Sequence, residues 1–210
     1  MSFKLNFDIK HLVKTSLVFV FLTLVYALPN KIILTDPWLV PLTKIDTLIP
    51  FSSVWIWAYI SYYPFIFGAA LFIQDHTSRK LIFYSYLASA SIASVVFFSF
   101  PSVIPREFYP VLEYRSISDV VLSIIRFIDS STNCAPSMHI CLTLIATLCV
   151  WTASKKYGPI AFLWFLLIAY STMATKQHYF IDVVTGAVLG LTIWALTYKM
   201  IQIQKAKATL

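Results

Sequence analysis

Residues 54–73 read VWIWAYISYYPFIFGAALFI, twenty positions without a charge, inside a longer uncharged stretch from Thr47 to Gln74. The hydrocarbon core of a bilayer is about 30 Å thick and takes roughly 20 helical residues, with about 17 to 25 tolerated. The stretch therefore predicts a membrane-crossing helix. Pro64 should kink it, because proline lacks an N–H and crowds the carbonyl four residues back. Working outward, Leu12–Leu28, Leu81–Phe100, Met138–Ser154, Gly158–Thr175 and Val183–Ile201 meet or approach the same length. No strand-like alternation is sustained, which argues against a β-barrel. The expected fold is all-α, a single six-transmembrane-helix bundle over residues 1–210.

Composition agrees. The chain has 210 residues, 59% hydrophobic and 12% charged, where a soluble domain carries about a quarter charged residues. A disordered chain, a collagen-like fibre and most water-soluble globules are excluded. The net charge of +7 comes from basic residues scattered in ones, twos and threes. A nucleic-acid binder would gather them into a patch, so the partner expected is the lipid bilayer and no nucleic acid. Cys134, Cys141 and Cys149 lack zinc-like spacing and read as small apolar residues. The first apolar run follows Lys4, Lys10 and Lys14 but precedes no small-residue cleavage site, and reads as a retained helix.

Six spans put both termini on one side, with ten basic residues against Asp8 and Asp75, a balance of +8. The other side holds six basic residues against seven acids, a balance of −1. Short loops rich in Lys and Arg stay in the cytoplasm. The chain is therefore expected as an integral protein of the cell (inner) membrane, with both termini cytoplasmic and the first, third and fifth loops, hence the site, facing outside. The third loop, Pro101–Ala135, should carry a short one-sided helix: Ile117, Val120, Val121, Ile124, Ile125 and Ile128 face one way, Ser118, Asp119, Ser123 and Arg126 the other. Such a helix lies in the membrane interface or packs as a lid on the bundle. Trp38, Pro37, Pro41 and Pro50 mark the first loop as irregular. Gly186 and Gly190 in the last span suit close packing inside the bundle.

Ionisable groups beside apolar helices are costly and call for an account. His11, in the N-terminal segment, and His76, in the second loop, are expected to be solvated. His139 and His178 fall at the outer ends of the fourth and sixth spans. If the sixth helix begins by Lys176, His178 and Asp182 share a face, and the carboxylate can fix the imidazole tautomer and leave its other nitrogen free. The fourth span opens Ala135-Pro136-Ser137-Met138-His139. Pro136 suits a first helical position, and the N–H groups after it, with the Ser137 hydroxyl, form an anion site. Arg106 and Lys176 lie on the same side. An anion cradle, two cations and two histidines at one membrane face suit phosphoryl transfer.

Pro136-Ser137-Met138-His139 matches the P-S-x-H motif of the type-2 phosphatidic-acid phosphatase superfamily. Ser171, His178 and Asp182 match the spacing of its third motif. The text Phe100-Pro101-Ser102-Val103-Ile104-Pro105-Arg106, with Asp129, Asn133 and the run Gln177–Asp182, resembles the inositolphosphotransferase-like branch. The likeness covers roughly residues 100–190, the expected catalytic region. It implies His178 as nucleophile forming a phosphohistidine and Asp182 as its orienting group. His139 would be the acid for the departing lipid oxygen, with Ser137, Arg106 and Lys176 holding phosphoryl oxygens. It implies no metal and no other cofactor. Two family cations are replaced, by Ser99 and by Thr172, and Pro105-Arg106 reverses the family's order. Lys176 is the candidate substitute, with Arg126 in reserve.

The activity implied is a membrane lipid phosphate phosphatase whose substrate is a phospholipid, polyprenyl or glycolipid phosphate. A phosphotransferase passing the group to an alcohol, in the manner of inositol-phosphorylceramide synthases, needs the same histidines. A non-catalytic lipid-binding or transport protein, and a metal site built from His139, His178 and Asp182, are the other readings.

Overall fold

The computed structural model describes residues 9–32, 34–129 and 131–208, and of Arg106 the backbone alone. Its helices follow the apolar runs. They are α1 (Ile9–Lys31), α2 (Lys44–Leu48), α3 (Ile56–Ile60), α4 (Tyr62–Phe72), α5 (His76–Ser99), α6 (Ile117–Ile128), α7 (Met138–Ala153), α8 (Gly158–Ala174) and α9 (Phe180–Ala208). Four rods are long and apolar enough to cross a membrane: α1, residues 53–72, α5 and α9. The other two expected spans, α7 and α8, are apolar but only 16 and 17 residues long, about 24 and 26 Å at 1.5 Å per residue.

The second span breaks where the proline requires. Helix α3 ends at Ile60, the carbonyl four residues before Pro64, and α4 restarts at Tyr62. Ser61 covers the break by donating its hydroxyl to the Ala58 carbonyl at 2.6 Å. Pro64 then sits in the first turn of α4, where a missing N–H leaves no bond unmade.

Helix α7 is the centre of the bundle and packs on α4, α5, α8 and α9. Gly186 and Gly190 of α9 face it. A Cβ on Gly186 would lie 2.4 Å from the Ser137 carbonyl oxygen, and one on Gly190 2.8 Å from that of Cys141. The glycine pair therefore serves packing within the chain. Cys134, Cys141 and Cys149 are buried thiols, none of them in a disulfide among the described residues.

His11 is a correction. It is buried, and its Nε2 lies 3.1 Å from the Ala70 carbonyl and 3.2 Å from that of Leu71. Helix α1 starts early enough to bring this ring to the last turn of α4, whose carbonyls have no partner within their own helix. His76 is exposed, as expected. At the opposite end of α1, Tyr26 meets Phe97 of α5 and donates to Asp129 after α6. The start of α1, the end of α4 and the start of α5 thus share one end of the bundle. The first, third and fifth connections share the other.

The first and third connections are woven together there. Strand β1 (Trp38–Leu39) pairs in parallel with β2 (Ser102–Val103). Helix α2 is held by a capping box in which Thr43 and Asp46 satisfy each other's backbone N–H. Helix α6 has the expected three turns and also starts on a capping box, Ser116 with Asp119. It is partly a lid: Leu122 is fully buried against Ile56 and Tyr59, and the Trp57 indole donates to Ser118 at 3.0 Å. Ile117, Val120, Ile124, Phe127 and Ile128 stay exposed as an apolar stripe.

Candidate active site

Serine 137, and not the proline before it, opens α7. It is the N-cap, its hydroxyl oxygen accepting from the Ile140 N–H at 3.5 Å. Pro136 lies one residue outside, after a cis peptide bond, so the expectation of proline at the first helical position is corrected. The cap is tied to α9 by a bond from the Ser137 N–H to the Asp182 carbonyl at 3.1 Å. The absence of a side chain at Gly186 permits that approach. His139 therefore stands in the first turn of α7, facing the start of α9.

His178 precedes α9, which begins at Phe180 and not by Lys176. The expected stacking of His178 and Asp182 on one helical face does not occur. Their contact forms through a turn in which the Asp182 N–H bonds the Tyr179 carbonyl at 3.0 Å. The Asp182 carboxylate then accepts the Tyr179 N–H at 2.9 Å and lies 3.4 Å from His178 Nδ1. The other ring nitrogen, Nε2, is 3.3 Å from Nδ1 of His139. With a proton on His178 Nδ1 for the carboxylate, His178 Nε2 accepts from His139 Nδ1–H, a tautomer assignment made from the hydrogen-bond pattern. His139 Nε2 is then left buried without a partner among the described residues. His139, His178 and Asp182 are 7%, 7% and 0% exposed, so this chain of polar groups is sequestered from bulk water.

Aromatic rings flank His139. Tyr59 and Tyr62 sit with centroids 4.6 and 4.5 Å from the imidazole, one from each half of the broken span. His139 also lines a cavity of about 500 Å³ bounded by α1, α4, α5 and α7, with Leu22, Ile66, Ala93, Phe97 and Leu142 on its walls. Asp129 closes its rim, accepting from Tyr26 at 3.0 Å and Tyr59 at 3.3 Å. The sequence gives no sign of these rings as neighbours of His139, because the whole segment is apolar and aromatic.

The remaining residues singled out in the sequence divide. Ser137 joins the histidines through its helix cap. Arg106 opens a short 3-10 turn, Arg106–Phe108, and its side chain lies outside the described residues. The ammonium of Lys176 does not reach the histidines: it donates to the carbonyls of Asp46 and Ile49, both at 2.6 Å. Burial pulls its pKa down, and the nearby Asp46 carboxylate opposes that pull. Thr172 is fully buried, its hydroxyl turned back on the Ala169 carbonyl. The Arg126 guanidinium lies over the rings of Tyr109 and Phe51, at 5.0 and 5.6 Å, and donates to the Pro110 carbonyl.

Lys176 has φ +58°, in the left-handed region. It follows the C-cap of α8, and Gln177 N–H bonds Thr172 O while Lys176 N–H bonds Met173 O. That is the Schellman arrangement, in which glycine is usual at this position. A side chain there costs roughly 1–2 kcal/mol.

A bundle of apolar helices with a buried carboxylate–histidine–histidine chain at one end is the make-up of an integral membrane protein, and its two imidazoles stand close enough to pass a proton. The family model of the PAP2 superfamily matches residues 23–196, and the chain belongs to that superfamily, whose members are in general phosphatases. No curated protein and no solved structure matches the chain.

Proposed function

We propose that this protein is a lipid phosphate phosphatase that works through a phosphohistidine on His178, at the outer face of the membrane. The observation that carries the reading is the contact of His178 Nε2 with His139 at 3.3 Å while Asp182 stands at the other ring nitrogen. In the first step the Nε2–phosphorus bond forms and the bond from phosphorus to the lipid oxygen breaks. His139, protonated, gives its Nε2 proton to that oxygen. In the second step His139 takes a proton from the acceptor, whose oxygen displaces the histidine and restores its lone pair. Ser137 and Arg106 are assigned to the phosphoryl oxygens, together with the N–H groups of the first turn of α7.

The cavity supports a lipid substrate. At roughly 30 Å³ per water-sized group it has room for about sixteen such groups, the bulk of one apolar chain. Its walls are mainly apolar and His139 lines it; the unpartnered Nε2 of that residue is the nitrogen assigned to the leaving oxygen. Counted as six crossings, with α7 and α8 as the two short ones, the chain would have this end of the bundle opposite the start of α1. The charge balance of the loops supports an outward-facing site. An alcohol acceptor would make the same enzyme a phosphotransferase of the inositolphosphotransferase-like kind, since both acceptors use the same two histidines.

The test is trapping. Purified protein given a short-chain phosphatidate labelled in its phosphate should acquire acid-labile, alkali-stable label, and His178→Gln should acquire none. Release of phosphate, or its transfer when alcohols are added, identifies the acceptor. Absence of label and of both products across phosphatidate, polyprenyl phosphate and glycolipid phosphate would overturn the proposal in favour of a lipid-binding or transport protein.

A further inference from the structure

We infer that Asp46 and Lys176 are positioning residues for His178, a clasp that fastens the segment carrying the nucleophile to the first loop. The inference rests on the proposed role of His178 for its kinetic consequences, and on geometry alone for its structural ones. Five residues, 175–179, connect α8 to α9, and His178 is the fourth of them. At one end the Lys176 ammonium donates to the carbonyls of Asp46 and Ile49. At the other the Phe180 N–H, the first of α9, donates to the Asp46 carboxylate at 2.7 Å. The second oxygen of that carboxylate takes the N–H and hydroxyl of Thr43 at 2.8 and 2.7 Å, which fixes its own orientation. Asp46 is 2% exposed. A further backbone bond, Ser52 N–H to the Ala174 carbonyl at 3.0 Å, brings the first loop onto the end of α8.

The backbone of Lys176 supplies an independent reason. Its left-handed conformation is one that glycine adopts without strain, and the helix end needs no side chain there. A strained residue that persists points to a task for its side chain. The task visible here is the pair of carbonyl bonds. Without them, the His178 backbone would keep its N–H bond to the Thr172 carbonyl at 3.1 Å and the Phe180 tie to Asp46, and the ring its contacts with Asp182 at 3.4 Å and His139 at 3.3 Å, but the first loop would no longer hold the segment from the α8 side.

Lys176→Gly separates this role from a purely structural one, since it removes the ammonium and relieves the backbone. In the full-length protein in nanodiscs, its thermal midpoint should match or exceed that of the wild type. Its kcat on dioctanoyl phosphatidate should fall at least tenfold with KM within twofold, because nucleophile placement acts on the chemical step. Lys176→Arg should recover much of the loss. Asp46→Asn should lower kcat in the same way, and the double variant should lose little more than the worse single one, since both act through one segment. In protein labelled with ¹⁵N-histidine, the ring resonances assigned to His178 by comparison with His178→Gln should shift or broaden in Lys176→Gly and Asp46→Asn, with those of His11 and His76 unmoved.

His178 resonances unchanged in both variants would overturn the clasp whatever the activity. A raised KM at unchanged kcat would overturn it too, making Lys176 a direct phosphate ligand. If the wild type turns over no lipid phosphate, the proposed function fails alone, and the ring resonances still decide the clasp.

Discussion

Adding one methyl group at Gly186 is the most telling perturbation of the site. The new Cβ would lie 2.4 Å from the Ser137 carbonyl oxygen and 3.2 Å from Cβ of Ile140. Ordinary contact begins near 3.4 Å, so α9 must retreat from the N-terminus of α7 by about 1 Å. The obstruction is backbone and cannot rotate away. Overpacking of this kind costs about 1–3 kcal/mol. The same retreat stretches the 3.1 Å bond from Ser137 N–H to the Asp182 carbonyl and draws His178 away from His139. A displacement near 1 Å between reacting groups costs on the order of 100-fold in rate. Gly190→Ala is the internal control: it meets the Cys141 carbonyl oxygen at 2.8 Å, one turn further from the histidines. Gly186→Ala should therefore lose about 100-fold in kcat on short-chain phosphatidate, and Gly190→Ala under tenfold, while both lower the thermal midpoint in detergent. Turnover by Gly186→Ala within threefold of wild type, or a larger rate loss in Gly190→Ala, would refute the reasoning.

Four further outcomes are expected. Ala93→Phe, on the cavity wall, should shift the preferred substrate toward shorter chains in a competition between eight- and sixteen-carbon lipid phosphates; an unchanged preference would detach the cavity from the substrate. Leu122→Ala should lower stability by about 2–5 kcal/mol in a denaturant or thermal assay, because the side chain is fully buried under α6. A chelator should leave the rate unchanged: among the described residues no three metal-ligating side chains form a group able to hold an ion, and a loss reversed by added zinc would refute this. A reporter joined after Leu210 should read cytoplasm; a signal from outside would invert the proposed sidedness.

The apolar runs between charges place the rods, and Pro64 places the break in the second; the ends depart most at α5, which starts at His76 and not Leu81, and at α9, which reaches Ala208 and not Ile201. Helices α1 and α9 run longer than the apolar stretches because flanking residues such as Lys10, Gln202 and Lys205 are good helix formers outside hydrocarbon. Helix α2 has too few residues for a periodic signal, although Thr43 and Asp46 carry the spacing of a capping box. The histidines and Asp182 were legible from their motifs, but the start of α9 was not, since a turn and a helix give the same four-residue spacing. Local spacing points Lys176 at the phosphate, since it lies one helical turn from Thr172 and two residues before His178. Its partners lie 130 and 127 residues away, beyond any local pattern.

The resting contact between the two imidazoles has a consequence for what can react. With the tautomers assigned above, the lone pair with which His178 attacks under the proposed reaction is engaged by its neighbour's proton in that pose, 3.3 Å away. Inorganic phosphate or a soluble ester arriving from water finds the attacking nitrogen of His178 engaged. A molecule whose tail is lodged in the adjoining hollow stays long enough to wedge the rings apart with its head. Under the proposed reaction, discrimination against water-borne phosphates thus resides in the idle state of the catalyst itself, before any bond to phosphorus is made.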